Sequence, residues 1–315
     1  MSRSSNKKQL PFKRIAIISR HESPAICETL SALIDYVHGL NVEAVLEAET
    51  ARMLAKKSLP VVPVELLSEY SELLVVVGGD GSLLQAAHIA TQQNLPILGI
   101  NRGRLGFLTD ILPDHLDKVG EVLAGHYQEE QRFLLTSSVR CHSDPGNPRI
   151  IENDALNDIV LMRGDVARML EFDIYINEQF MCNQRADGLI ISTPTGSTAY
   201  ALSGGGPILH PKLDAIVIVP MFPHTLTSRP IVIDGNNIID IAISPHDETL
   251  PGLTHDGRHH VPVSPKDQIN IRKKTASLRL IHPLDYNYFQ TLQSKLYWER
   301  KDNARPHSYK KFHHH

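Results

Sequence analysis

A chain of 315 residues with 42% hydrophobic and 21% charged side chains is long enough for about two domains with a sizeable core, and has the balance of a soluble globular protein. Its formal net charge of −3 gives no general attraction to nucleic acid or to an anionic membrane, so any phosphate binding must be local. Three cysteines, Cys27, Cys141 and Cys182, lie far apart with no CxxC pair, which argues against a disulfide framework or a zinc site and suits a reducing cytoplasm.

Met1 to Lys8 is polar and lacks the apolar core of a secretory signal, and no apolar run approaches the length of a membrane span, so a cytoplasmic location is expected. Residues 1–12 and 301–315 read as tails, 1–12 as disordered, with His313 to His315 as a tag remnant. Arg14 to Ser19 reads as a strand. Ser23 as N-cap and Pro24 at the first helical position then open a helix. Its apolar residues Ile26, Leu30, Leu33, Ile34 and Val37 recur at helical spacing, and Gly39 stands where a C-terminal cap belongs. Val42 to Leu46 is a second strand, and Leu73 to Val77 a third that runs into Gly78, Gly79, Asp80 and Gly81 and then a helix from Ser82 to about Gln93. Pro96 to Asn101 is a further strand, and His115 to Leu123 a helix closing on Gly125. This alternation predicts an α/β N-terminal domain over residues 13–130, a parallel sheet with helices on both faces.

The Gly78–Gly81 turn is the most informative stretch. Glycines let a phosphate lie against the backbone, and the following helix points free N–H groups and its positive dipole end at whatever occupies the turn. Asp80 places a carboxylate inside that anion seat, a cost that a cation or a proton-transfer role would offset. The alternative is an ordinary Asp/Gly turn that binds nothing.

Near Gln131 the pattern changes to strands joined by turns. Phe133–Val139, Ala155–Met162, Leu170–Ile176, Leu189–Ser192, Ala215–Val219, Ile231–Ile233, Ile238–Ile243, Gln268–Arg272 and Ser277–Ile281 are short and rich in β-branched residues. They predict an all-β two-sheet, β-sandwich-like C-terminal domain over 131–283. The amphipathic stretch Tyr288 to Tyr297 predicts a C-terminal helix returning to the first domain, which residues 284–300 would join.

Strand Leu189–Ser192 leads into a second polar run, Thr193-Pro-Thr-Gly-Ser-Thr-Ala-Tyr200, whose hydroxyls and glycine precede a short helix ending in Gly204, Gly205 and Gly206. Such a run offers donors to phosphate or ribose oxygens; the alternative is an ST-rich turn capping a helix. There is no GxxxxGK[ST] sequence and no GxGxxG after the first strand, so neither the P-loop nor the ordinary dinucleotide fingerprint is present.

In its GGDG turn, the segment Gly99-Ile-Asn-Arg-Gly-Arg-Leu-Gly-Phe-Leu-Thr-Asp110, the pair Asn157 and Asp158, Arg185-Ala-Asp-Gly188 and the Thr193–Tyr200 run, in that order and spacing, the sequence closely resembles the NAD kinase family, from about Arg14 to Phe289. GGDG alone also occurs in diacylglycerol-type lipid kinases and phosphofructokinases; with the full TPTGSTAY run it is highly specific.

The resemblance implies transfer of a phosphoryl group from ATP, or in some members polyphosphate, to the 2′-hydroxyl of the adenosine ribose of NAD. An alcohol is too weak an acid to ionise at neutral pH, so a carboxylate must orient it and accept its proton, and Asp80 is the candidate. The donor phosphates would lie over the amides of Gly79 to Gly81, with Mg²⁺ offsetting their charge while keeping most of its waters, so no dedicated protein metal site is implied. By the same resemblance Asn157 and Asp158 contact the hydroxyls and base of NAD, and Asp187 contacts it from the strand before the second run. Thr195, Gly196, Ser197, Thr198, Ala199, Tyr200 and Ser203 line the pocket, and Phe107 packs near the adenine. Arg168 and Arg185 align with positions that reach the dinucleotide in some members, where a guanidinium can pair with phosphate.

Two departures stand out. Asp158 replaces the family's usual Glu, one methylene shorter, and Asp256-Gly257-Arg258 replaces Asp-Gly-Gln, placing Arg258 where an amide is expected. A homodimer or homotetramer is implied, with neither nucleic acid nor membrane as a partner. The competing readings are a lipid kinase, which would need an exposed apolar or amphipathic membrane-facing surface, and a non-catalytic NAD(P)-binding sensor, which loss of the base would favour.

Overall fold

The computed structural model describes residues 12–54, 59–103, 106–141, 149–164, 168–245 and 251–298. The expected tails lie outside these residues except Phe12, which is no tail residue: it is buried with its ring 5.4 Å from that of Tyr127. Arg104 and Leu105 of the Gly99–Asp110 segment also lie outside the described residues.

The first half alternates as the sequence predicts: β1 (Arg14–Ile18), α1 (Pro24–Gly39), β2 (Glu43–Glu47), α2 (Ala48–Arg52), β3 (Val61–Val62), α3 (Leu67–Tyr70), β4 (Leu73–Gly78), α4 (Asp80–Gln92), β5 (Ile97–Asn101) and α5 (Asp117–Leu123). Ser23 caps α1, its Oγ accepting from the Ile26 N–H at 3.2 Å. Gly39 ends the helix without a left-handed backbone; that conformation falls to Asn41, at φ 54°.

Strands β3-β2-β1-β4-β5 lie side by side and parallel. Every residue of β4 is buried, because helices cover both faces of the sheet, and this is why the strand reads as a continuous apolar run. Val75 and Val77 pack with Leu30 and Leu33 of α1, while Leu74 and Val76 pack with Leu83, Ala86 and Ala90 of α4. From β1 the chain moves outward to β2 and β3, then returns to the other side of β1 with β4. The crevice beside the carboxyl end of β4 is therefore a topological switch point, the usual ligand position in open α/β sheets. The Gly78–Gly81 turn sits there.

The second half is β6 (Tyr127–Cys141), β7 (Arg149–Ala155), β8 (Asp158–Met162), β9 (Leu170–Ile176), β10 (Gln179–Ala186), β11 (Gly188–Ser192), α6 (Tyr200–Ser203), β12 (Ala215–Met221), β13 (Ile231–Asp234), β14 (Ile239–Ile243), β15 (Gly252–His255), β16 (His259–Pro262), β17 (Gln268–Pro283) and α7 (Tyr288–Leu296). Among the described residues, a six-stranded antiparallel sheet, β13-β12-β11-β8-β15-β16, stacks on the antiparallel part of an eleven-stranded sheet. Leu135, Phe172, Ile174 and Ile271 of the larger sheet meet Ile159, Leu161, Leu189 and Ile218 of the smaller in one apolar layer.

The larger sheet is continuous with the parallel one. β17 pairs along its length with β6, antiparallel, and its end joins β5 in parallel, Leu280 opposite Ile97. The change of pattern at residue 131 falls within β6, a single strand. Helix α7 follows β17 and carries Lys295 over the Phe107 ring at 5.8 Å. No helix among the described residues is long and apolar enough to cross a membrane.

Candidate active site

Gly79 precedes α4 with an extended backbone and Asp80 is the first residue of the helix, so its side chain stands beside N–H groups that have no partner within the helix. A Cβ on Gly79 or Gly81 would meet nothing within 4 Å, leaving open space over the turn. At Gly78 a Cβ would lie 2.6 Å from that of Ser82, and at Gly106 it would collide with the Asp80 carboxylate, so these two glycines serve close packing.

The Asp80 carboxylate is held by the loop after β5. Oδ2 accepts from the Phe107 N–H at 2.7 Å, and Oδ1 accepts from the Leu108 N–H at 3.0 Å and from Thr109 Oγ1 at 3.3 Å. A carboxylate has roughly four lone-pair sites, so these donors fix its plane and leave room for one more. Asp80 is half-buried and Gly81 exposed, so the free position is reachable from solvent.

Asn157, Asp158, Val160, Met162, Ala199, Tyr200, Thr254, Asp256 and Gly257 line a cavity of about 420 Å³. Its floor is organised by Asp256, whose side chain is 1% exposed. Asp256 Oδ1 accepts from the N–H groups of Asn157 at 2.8 Å and Asp158 at 3.3 Å; Oδ2 accepts from Leu156 at 2.9 Å and lies 3.0 Å from His88 Nε2 on α4. Asp256 is a turn residue, at φ 51° before Gly257 at φ 68°, and it is also the acceptor that fixes the Leu156–Asp158 backbone.

Arg258, beside Gly257, donates from Nη2 to the Gly81 carbonyl at 2.9 Å, and with the Gln85 amide oxygen turned toward it makes a second bond at 2.9 Å. Gly81, Gln85 and His88 lie on one face of α4, so the β15–β16 hairpin grips the helix and brings the glycine turn to the edge of the cavity. Arg258 thus bridges the glycine turn and the β-rich half.

The Thr193–Tyr200 run is used differently from its reading as a cradle of hydroxyls. Thr193 Oγ1 donates to the Leu156 carbonyl at 2.6 Å, Ser197 Oγ donates to Pro194 at 2.6 Å and accepts from the Leu209 N–H, and Thr198 Oγ1 donates to Thr195 at 3.3 Å. Thr195 Oγ1 accepts from Arg132 Nη1 at 3.4 Å. A Cβ on Gly196 would collide with the Asn157 carbonyl, so this residue locks the run against the turn between β7 and β8. The hydroxyls build the turn, and of its residues Ala199 and Tyr200 face the cavity. Ser203 is exposed at the end of α6.

Asp187 is half-buried, 3.4 Å from Arg163 Nε, and directly precedes Gly188, which pairs with cavity-lining Met162. Arg168 and Arg185 are exposed and do not line the cavity. Phe107 is half-buried beneath Lys295. A larger cavity, about 730 Å³, opens beside Arg140, Asp240, Asn270 and Arg272 and contains none of the sequence-predicted residues. His88, Arg132 and His282 also brace these segments through partners far off in sequence, and no local motif marks them; Asp110, the partner of His282, ends the Gly99–Asp110 segment.

Burial, reinforced by the nearby Asp256 charge, raises the pKa of Asp158 from 3.8 to about 7. Between those values the folded chain keeps a proton that the unfolded chain releases, so stability falls as pH rises from about 4 to 7. Asp158→Asn should remove this penalty, gaining on the order of a few kcal/mol at pH 8 and less at pH 5. Thermal unfolding at the two pH values checks this; a difference independent of pH, or a variant less stable at pH 8, would contradict it.

A family model described as ATP-NAD kinase N-terminal domain matches residues 16–130, and one described as ATP-NAD kinase C-terminal domain matches residues 156–283. The NAD kinase of Coxiella burnetii (strain Dugway 5J108-111) is 54% identical over 290 residues, 92% of this chain and 96% of that protein. That of Pseudomonas entomophila (strain L48) is 52% identical over 288 residues, 91% and 96% of the two chains. Among solved structures, yeast NADH kinase complexed with NADH superposes with a TM-score of 0.81 at 26% identity, covering 95% of this chain and 91% of that one. An NAD kinase from Archaeoglobus fulgidus in complex with ATP shares the fold at a TM-score of 0.66 and 24% identity, covering 89% and 99%. With both domain models matched in order and about half of all residues identical to curated NAD kinases over nearly its full length, the chain belongs to the NAD kinase family.

Proposed function

We propose that the chain, an NAD kinase, transfers the terminal phosphoryl group of ATP to the 2′-hydroxyl of the adenosine ribose of NAD, with Asp80 as general base. The observation that carries this is the Asp80 carboxylate itself. Three donors fix its plane beside an open glycine turn, and Arg258 and His88 tie that turn's helix to the hairpin that lines the cavity with Asn157, Asp158 and Tyr200. Dinucleotide in that cavity, held by Asn157, Asp158, Tyr200 and, from their strand ends, Asp187, would present its ribose toward the turn. Asp80 then orients the hydroxyl and takes its proton late, while the amides of Gly79 to Gly81 hold the donor phosphates in line.

Among the described residues no group of three or more His, Cys, Asp or Glu side chains converges to hold a metal. The open space over Gly79 and Gly81 fits phosphates, so Mg²⁺ suits this site as a passenger of ATP that keeps most of its waters. When bound, it offsets the charge of the transferring group. Arg168 and Arg185, exposed at the strand ends, are proposed to meet the dinucleotide's phosphates, Phe107 to border the adenine, and Ser203 to close the rim. The three cysteines are free thiols, which suits a cytoplasmic enzyme, and the family resemblance makes a homodimer or homotetramer part of this reading.

Purified protein should convert NAD, but not diacylglycerol, in the presence of Mg²⁺ and ATP, with NADP read by an NADP-specific dehydrogenase. Turnover of the lipid and not of NAD would overturn the assignment; parallel reactions with polyphosphate decide the donor.

A further inference from the structure

A buried chain of charges joins the loop that holds Asp80 to the Thr193–Tyr200 run. That loop ends in Asp110, whose Oδ2 makes a short hydrogen bond to His282 Nδ1. His282, at the end of β17, is 0% exposed and stacks on Tyr286 at 3.8 Å with the rings 8° from parallel. Its Nε2 lies 3.7 Å from Glu130 Oε2, an ion-pair distance rather than a hydrogen bond. Glu130 in turn binds Arg132 Nη2 at 2.7 Å, and Arg132 Nη1 donates to Thr195 Oγ1 at 3.4 Å. Lys212 Nζ stands 3.5 Å from the other Glu130 oxygen.

Replacing buried ion pairs by apolar side chains is often neutral or stabilising, so stability alone is a weak reason for this array. Its endpoints are both site segments: Phe107, Leu108 and Thr109 fix Asp80, and Thr195 sits in the turn that carries Ala199 and Tyr200 to the cavity.

We propose that His282, as an imidazolium held between Asp110 and Glu130, is a positioning residue for phosphoryl transfer that keeps the Asp80 loop and the Thr195 turn in register. Burial works against its charge, but the Asp110 and Glu130 carboxylates outweigh it and its pKa is raised. Glu130 is likewise opposed by burial, yet the imidazole and the Arg132 guanidinium hold it at about 2. Burial raises the Tyr286 hydroxyl above its ordinary range, so it stays neutral beside the ring. The coupling is therefore lost as pH rises through the raised histidine value, above the point where an ordinary imidazole gives up its proton.

This inference rests on the kinase reading, and its test separates the two. In the wild type, nitrogen NMR should show the His282 ring keeping its second proton to higher pH than an ordinary imidazole, and kcat should decline in step with the loss of that proton. His282→Gln should lower kcat about ten-fold or more at pH 7, change the KM for NAD far less, and abolish that alkaline decline. Asp110→Asn, which leaves the ring only Glu130, should move the decline about one pH unit or more toward acid, and decides the matter if His282→Gln fails to fold. A ring that titrates at or below the ordinary histidine value, kcat within two-fold of wild type in His282→Gln, or a decline unmoved in Asp110→Asn would overturn the proposal. A wild type that makes no NADP would sink the kinase reading instead, leaving the NMR titration to speak for His282.

Discussion

Asp80→Asn should bind NAD within about three-fold of the wild type while its kcat falls by roughly 10²–10⁴. The substitution preserves size, so the turn and the cavity keep their shape. It removes the acceptor for the proton of an alcohol that cannot ionise unaided. One amide position will face the N–H of Phe107 or Leu108, donor against donor, so a modest loss of stability of about 1–2 kcal/mol should accompany the kinetic defect. Isothermal titration with NAD, run beside steady-state kinetics, separates the effects. Loss of binding in parallel with turnover would make Asp80 a structural residue of the dinucleotide site, and retained turnover would remove it from the mechanism.

Asp256→Ala should destabilise the fold by on the order of 3 kcal/mol or more and raise the KM for NAD. The carboxylate is the common acceptor for the N–H groups of Leu156, Asn157 and Asp158 and the partner of His88. Alanine leaves these donors unpaired in a largely buried setting and frees the segment that presents Asn157 and Asp158 to the cavity. Alanine also disfavours the left-handed backbone at φ 51°, which Asp and Asn tolerate. Asp256→Asn retains one acceptor oxygen and the turn, and should fall between wild type and Asp256→Ala. Chemical denaturation measures the ladder; equal stability of the alanine and asparagine variants would contradict the role assigned to the carboxylate.

Much of the fold was legible because its apolar periodicity is local. The buried run of β4, the Ser23 cap of α1 and the alternation through β5 each declare themselves within a few residues. β10 and the β15–β16 hairpin did not, for a physical reason: β10 is an edge strand exposed along most of its length and leaves no apolar period, and the hairpin is rich in His and other polar residues. Of the candidate site, the segments legible in the sequence are the motifs at Gly78–Gly81, Asn157–Asp158 and the Thr193 run, which the fold brings near one another. The site was illegible where one residue acts through distant partners. Asp256 reaches back about a hundred positions to the Asn157 segment, and Arg258 reaches the Gly81 carbonyl 177 positions away. In the run of hydroxyls, density of donors does not reveal which of them the turn itself uses, as Thr193, Ser197 and Thr198 do.

Phosphorus NMR of the product made from NAD, Mg²⁺ and ATP by the wild type bears most directly on the assignment. The phosphate should appear on the 2′-oxygen of the adenosine ribose, giving NADP, with none formed by Asp80→Asn on the same timescale. Phosphate on any other hydroxyl, or no phosphorylated dinucleotide with either ATP or polyphosphate, would contradict it.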